Sequence, residues 1–297
     1  MSSDKRPFSM QKLSEHLGIS RQGLYQRVQR YDMNLSIEKA VIAFVKRQRH
    51  SQDKIGMRKL YHMFKNEQYQ CSIGRDAFMD ICKTHQLTHH LTVKKRYKSA
   101  DVKGEKLAGV APNLVPKGLL TLRPNVIWCS DITYLKAGGK HAYLSLVMDY
   151  HSRKIIGWQL SNTMKTEETL KALDKALLQA KNPKKIIHHS DRGSQYRSHK
   201  YRERLELYDL TPSQTDGGKP YQNARIERIN GILKHEFGLL KNFENIHALR
   251  VAVAEAIYIY NTQRLHTSLG YLTPHIVHHN DNITQNHQQK LSTLFRT

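Results

Sequence analysis

The sequence predicts an α/β protein in which a mixed-sheet domain follows all-α helix-turn-helix modules. Three observations lead there. Before residue 88 the apolar periodicity is helical throughout, whereas from Leu122 onward apolar runs of strand length alternate with helical stretches. A compact helix-turn-helix pattern opens the chain. Three carboxylates, Asp131, Asp191 and Glu227, stand within a predicted strand, at a strand end and on a helix. The expected organisation is a helix-turn-helix over 1–34, a second helical, helix-turn-helix-like module over 35–88 and a basic linker over 89–121. A mixed-sheet core over 122–280 and a tail over 281–297 complete it.

Charge narrows the partners. The 297 residues include 48 Lys and Arg against 25 Asp and Glu, a formal charge of +23. Such a surplus suits a polyanion, nucleic acid above all. No run approaches the ~20 apolar residues a membrane span needs, and the first ten residues lack the apolar stretch of a signal peptide. With three cysteines (Cys71, Cys82 and Cys129) and no paired spacing, a disulfide framework is not expected and a reducing, intracellular setting is. Zinc on Cys71, Cys82, His85, His89 and His90 is disfavoured, because a closed site shows two ligand pairs at short fixed spacing.

Met10 to Arg30 carries the helix-turn-helix. Leu13, Leu17, Ile19, Leu24 and Val28 are spaced to form its small core. Ser14 allows close approach, Gly18 suits a turn with positive φ, and Ser20 caps the second helix. That helix would turn Arg21, Gln22, Tyr25, Gln26 and Arg30 outward, a surface suited to the major groove of DNA. An ordinary helical hairpin fits the same spacing. Further on, Ile37, Ala40, Val41, Phe44 and Val45, then Met57, Leu60, Tyr61 and Phe64, then Ala77, Phe78, Ile81 and Cys82 predict more helices. They form either a second DNA-reading module or a helical spacer. Lys94, Lys95 and Arg96 centre a basic run that reads as a solvated linker able to track phosphates. Residues 111–116 read as an extended connector.

In the core, Val126–Leu135, Lys140–Tyr150 and Lys154–Leu160 predict three strands with turns at 137–139 and 151–153. Helix Glu167–Ala180 presents Leu170, Leu173, Ala176, Leu177 and Ala180 as its apolar face. Strand Lys185–Ser190, helix Ser198–Leu207, strand Leu210–Gln214 and helices Gln222–Phe237 and Ile246–Thr262 follow. Adjacent central strands would bring Asp131 and Asp191 together, with Glu227 lowered onto them from a covering helix. Three crowded carboxylates need a compensating cation, and hard Mg²⁺ or Mn²⁺ fits oxygen donors. Taken singly, each acid also fits a turn or a surface ion pair.

The segments Trp128-Cys129-Ser130-Asp131-Ile132-Thr133-Tyr134, His189-Ser190-Asp191-Arg192-Gly193-Ser194-Gln195-Tyr196 and Tyr221-Gln222-Asn223-Ala224-Arg225-Ile226-Glu227 resemble the three acidic blocks of retroviral-integrase-like (DDE) transposases. The OrfB type of bacterial insertion sequences is the nearest in pattern, and residues 260–274 resemble its closing motif. The resemblance implies a ribonuclease-H-like fold and a catalytic, metal-holding triad of Asp131, Asp191 and Glu227. It implies two Mg²⁺ (or Mn²⁺) ions per active site, and DNA cleavage and strand transfer without a covalent enzyme–DNA intermediate. It gives Lys234 a DNA contact and His189, Asn223 and Arg264 supporting roles. It implies double-stranded DNA (element ends and target) as substrate, a homo-oligomer on DNA, action either alone or fused to a first-frame partner, and a bacterial cytoplasmic, nucleoid-associated setting. A catalytically silent DNA-binding regulator and a ribonuclease-H-like nuclease are the alternatives. Two departures stand out: Ile55 and Met57 flank Gly56 where aromatics are common, and Thr215–Pro220 is less rich in serine. Asp216, in that loop, is expected to make a turn.

Overall fold

The computed structural model describes residues 9–67, 73–89, 109–116, 119–180, 183–216 and 220–280. Lys94, Lys95, Arg96, Cys71, His90 and the tail 281–297 lie outside these residues. Two compact units emerge, Met1–His50 with Gly56–His90, and Ser51–Ile55 with Leu91–Thr297.

The first unit is helical: α1 (Met10–His16), α2 (Arg21–Ser51), α3 (Met57–Asn66) and α4 (Arg75–Thr84). Ser20 Oγ accepts the Gly23 N–H at 3.0 Å and Gly18 takes φ +63°, as a capped turn requires. Two expectations need correcting. Leu17 is 53% exposed and does not join the small core, because it lies at the end of α1 beyond the buried Ser14. The boundary expected at residue 34 falls inside α2, which runs on unbroken because residues 24–51 contain neither glycine nor proline. The distal half of α2 packs through Phe44 onto Phe64 of α3, edge-on at 5.2 Å, and Phe64 meets Phe78 of α4 at 5.5 Å.

The second unit is built on one sheet. Strands β1 (Ile127–Ala137), β2 (Lys140–Asp149) and β3 (Ile155–Ser161) form an antiparallel meander, and β4 (Ile186–Ser190) and β5 (Leu210–Gln214) add parallel to β1. The order is β3-β2-β1-β4-β5. Helix α5 (Thr166–Gln179) crosses from β3 to β4. Helices α6 (Ser194–Arg197) and α7 (His199–Leu207) lead into β5, and α8 (Ala224–His235), β6 (Asn242–Phe243), α9 (Ile246–Thr262) and α10 (Pro274–His279) follow. This mixed sheet with helices on both faces is the expected ribonuclease-H-like arrangement.

Alternation along β1 divides the core. Ile127, Cys129 and Leu135 pack with Ile226, Ile229 and Leu233 of α8 and with Leu249, Val253 and Tyr260 of α9. Trp128, on the opposite face, packs with Leu170, Leu173 and Leu177 of α5 and with Tyr201 of α7. Gly157 is required where α5 approaches β3: a Cβ there would lie 2.1 Å from the Ala172 carbonyl oxygen. At the sheet edge Asn261 of α9 clasps Ile155, accepting its N–H and donating to its carbonyl, both at 2.9 Å. Most predicted elements start or stop within two residues of the observed ones. The short α6, β6 and α10 were not foreseen.

Candidate active site

The sheet pairing positions the two aspartates. Strands β1 and β4 run parallel with Cys129 opposite His189, and Asp131 and Asp191 each lie two residues further on. Pairing of β4 to β1 ends at that point, and β6 joins β1 only from Lys136. Among the described residues, Asp131 therefore has no strand neighbour on that side, at the divergent end of the two central strands. Its side chain lies on the α8 face of the sheet, where Asn230 Nδ2 donates to Asp131 Oδ2 at 2.7 Å. Glu227, Asn230 and Lys234 recur at helical spacing along one face of α8. Asp191 is held by the turn that follows it, its Oδ1 accepting the Gly193 N–H at 2.9 Å.

The electrostatics link all three acids. Burial, then the charge of Asp191 and more weakly that of Glu227, push the Asp131 carboxyl up to about 7. Desolvation raises Asp191, with the Gly193 N–H opposing it. Glu227 is raised by desolvation and by the charge of Asp191. Lys234 is lowered by burial and partly restored by Asp131. The three carboxylates bring more negative charge together than Lys234 offsets, and their donors are hard carboxylate oxygens. Both properties fit a divalent cation. Among the described residues no three acids, histidines or cysteines already stand together as a ligand cluster. The carboxylates share a field without yet sharing a coordination geometry.

Around the acids lies a buried polar frame. Ser130 Oγ and the Tyr201 hydroxyl meet His188 Nε2 at 2.7 and 3.1 Å, and burial lowers His188 to about 3, which keeps it neutral. His189, lowered by burial to about 4, shares a 2.9 Å hydrogen bond with Ser213 Oγ. Asn223 donates to the Ser130 carbonyl at 3.3 Å. Arg264 lies away from the carboxylates. It is buried and bidentate to Glu236, with both bonds at 2.8 Å, and its Nη1 meets His266 Nε2 at 3.0 Å. Asp216 is bound to Gln222 by two hydrogen bonds of 2.6 and 2.8 Å; the loop 217–219 on which its expected turn would depend lies outside the described residues.

In the helical unit Arg21, Gln22, Tyr25, Gln26 and Arg30 are all exposed on α2, and the Arg21 guanidinium lies 5.9 Å from the Tyr25 ring centre. For the zinc candidates, Cys82 is buried with its thiol raised to about 11, and His85 pairs with Glu38. Two residues escaped the sequence reading. Asn230 carries a signal only as the residue three after Glu227. Asp149, fully buried, accepts N–H groups from Asn125 and Ser152 and the Ser152 hydroxyl, each at 2.7 Å. Its signal is an aspartate three residues before a serine.

A ribonuclease-H-like sheet with one acid within β1, just past its pairing to β4, and another just beyond the end of the parallel β4 defines an integrase-type core. Integrase core domain profiles match residues 121–220 and 208–274. The uncharacterized 31 kDa protein of insertion element IS600 from Shigella sonnei is 31% identical over 260 residues, covering 86% of this chain and 94% of that protein. The chain belongs to the insertion-sequence transposases, a family of DNA transposases with a DDE-type integrase core. The transposase of IS629 from Shigella sonnei is 34% identical over 167 residues, 56% of each chain. Transposase InsF of IS3A from Escherichia coli K12 is 36% identical over 166 residues, 56% of this chain and 58% of that one. The match thus spans little more than half the length of those two transposases. The HTLV-2 integrase catalytic core domain, solved in complex with magnesium, gives a TM-score of 0.43 at 22% identity, covering 53% of this chain and 99% of that one. Integrase-type cores use divalent metals, and DNA is the partner of the family. No described helix is long and apolar enough to cross a membrane.

Proposed function

We propose that the protein binds the ends of its insertion sequence, cleaves them and transfers them into target DNA, using Asp131, Asp191 and Glu227 as its catalytic and metal-holding residues. The observation that carries this reading is the equal two-residue offset of Asp131 and Asp191 beyond the paired Cys129 and His189, with Glu227 within their field. When bound, two divalent ions, Mg²⁺ or Mn²⁺, supply the charge that activates a water or a 3′-hydroxyl and stabilises the leaving oxygen of an in-line displacement. Asn230 fixes the Asp131 carboxylate, and the Gly193 N–H fixes that of Asp191. Glu227, exposed in the first turn of α8, swings toward the aspartates to complete the set. Lys234, two turns along the same face, holds a phosphate near the reactive end. His189 and Asn223 support β4 and β1, and Arg264 supports the end of α8.

Arg21, Gln22, Tyr25, Gln26 and Arg30 read the element end in the major groove, and Lys94, Lys95 and Arg96 add phosphate contacts. Two ends must be held together, so the working form is a homo-oligomer on DNA, produced alone or fused to a first-frame product. A silent regulator would have no need of an uncompensated acidic cluster. A plain nuclease would have no need of the N-terminal reader.

The test is cleavage and joining of duplexes carrying the element's own terminal sequence. Asp191→Asn is expected to abolish both in Mg²⁺ while leaving DNA affinity unchanged. Ca²⁺ in place of Mg²⁺ is expected to preserve binding and block chemistry, because the larger ion tolerates looser geometry. Unchanged cleavage by Asp191→Asn removes this site from the mechanism.

A further inference from the structure

The connector that enters the core, residues 111–114, lies along the free edge of β5. Gln214 N donates to the Pro112 carbonyl at 3.3 Å. Two side chains then carry the contact inward. The Ala111 N–H donates to Gln214 Oε1 at 3.0 Å, and the same amide group's Nε2 donates to the Asp191 carbonyl at 3.3 Å. The Leu114 N–H donates to Ser213 Oγ at 2.9 Å, and that hydroxyl shares a 2.9 Å hydrogen bond with His189 Nδ1. Gln214 and Ser213 are 4% and 1% exposed, so neither can exchange its partner for water.

We infer that Gln214 and Ser213 are positioning residues that tie the conformation of the connector to the placement of Asp191. Each has one side-chain partner on the connector and the other on the segment bearing that acid. Resting on the reading of Asp191 given above, the inference deepens it. A seated connector satisfies both side chains and fixes the Asp191 peptide. A displaced one leaves buried polar groups unpaired, and the 191–193 turn moves to satisfy them.

The test uses the full-length protein joining element-end duplexes to plasmid DNA in Mg²⁺. The first variants compared are Gln214→Met, which keeps shape without hydrogen bonds, Ala111→Pro, which removes the connector's N–H and fixes its φ, and the double variant. Thermal denaturation and deuterium uptake over 191–197 are followed in parallel. Each single variant is expected to lower kcat about ten- to hundredfold, the scale of a small misplacement of a reacting group. KM for DNA and the melting temperature should hold, and deuterium uptake should rise. The double variant is expected to be no worse than the poorer single, because both break one relay. Ser213→Ala should behave alike and Ser213→Thr should restore kcat. Wild-type kcat in Ala111→Pro and Gln214→Met, beside an inactive Asp191→Asn, overturns the relay alone. An active Asp191→Asn overturns the site reading beneath it. A fall in kcat accompanied by a rise in KM and a lower melting temperature assigns both residues to ordinary folding and overturns the inference.

Discussion

Replacing Asp131 by asparagine is expected to stabilise the protein at pH 8 in EDTA while abolishing its chemistry. Burial and the charges of Asp191 and Glu227 push this carboxyl up to about 7, against ~3.9 for an unperturbed aspartate. A carboxyl raised in the folded state favours folding fully below its unfolded value. That contribution disappears as pH climbs through about 7. Above it, the folded protein carries an anion that the unfolded chain would solvate freely. About three pH units at ~1.4 kcal/mol each put the penalty at up to about 4 kcal/mol, an upper bound because residual solvent screens the charge. Asparagine has the same shape, still accepts from Asn230 and carries no charge. For a domain of this size, relief of that order raises the melting temperature by roughly 10 °C. Calorimetry across pH 4 to 9 checks it: the two proteins should coincide near pH 4 and diverge through 7. Adding Mg²⁺ should raise the wild type toward the variant and leave the variant unmoved. A variant that melts at or below wild type at pH 8 in EDTA would refute the idea that Asp131 is held ionised against its surroundings.

The other predictions concern the frame and the reader. Arg264→Lys should lower stability by about 3 kcal/mol, read by urea denaturation, because a lysine cannot reproduce the bidentate grip on Glu236. Wild-type stability would leave the pair without structural weight. Gly157→Ala should prevent folding or cost several kcal/mol, since its methyl would meet the Ala172 carbonyl at 2.1 Å; soluble yield and circular dichroism decide it. Arg21→Ala with Gln22→Ala should weaken binding to the element end more than to random duplex in parallel anisotropy titrations. A uniform loss would assign both to phosphate contacts.

Much of the core could be read from the chain because its central strands, covered on both faces, stand out as short apolar runs between turn residues. Trp128 and Cys129 point to opposite faces, so the strand containing Asp131 and its burial follow from local pattern. Helix α9 was legible to the residue, capped by Asn245 and ended at Thr262. What escaped depends on distant neighbours. Nothing near Asn230 announces its bond to a strand residue 99 positions away. Arg264 stands in a recognisable motif, but its anchor Glu236 lies 28 residues upstream, just past the end of α8. β6, two residues long, is defined by pairing and not by pattern. The length of α2 was legible only as an absence: residues 24–51 hold no glycine or proline, so nothing ends the helix at the expected boundary.

The shared rung of β1 and β4 makes the strands themselves the ruler of the site. Side chains alternate across a sheet, so a slip of one residue in β4 would swing its aspartate to the α5 side while leaving most backbone pairing intact. Inserting or deleting a single residue between Ile187 and Asp191 should thus yield a folded chain that has lost its cut.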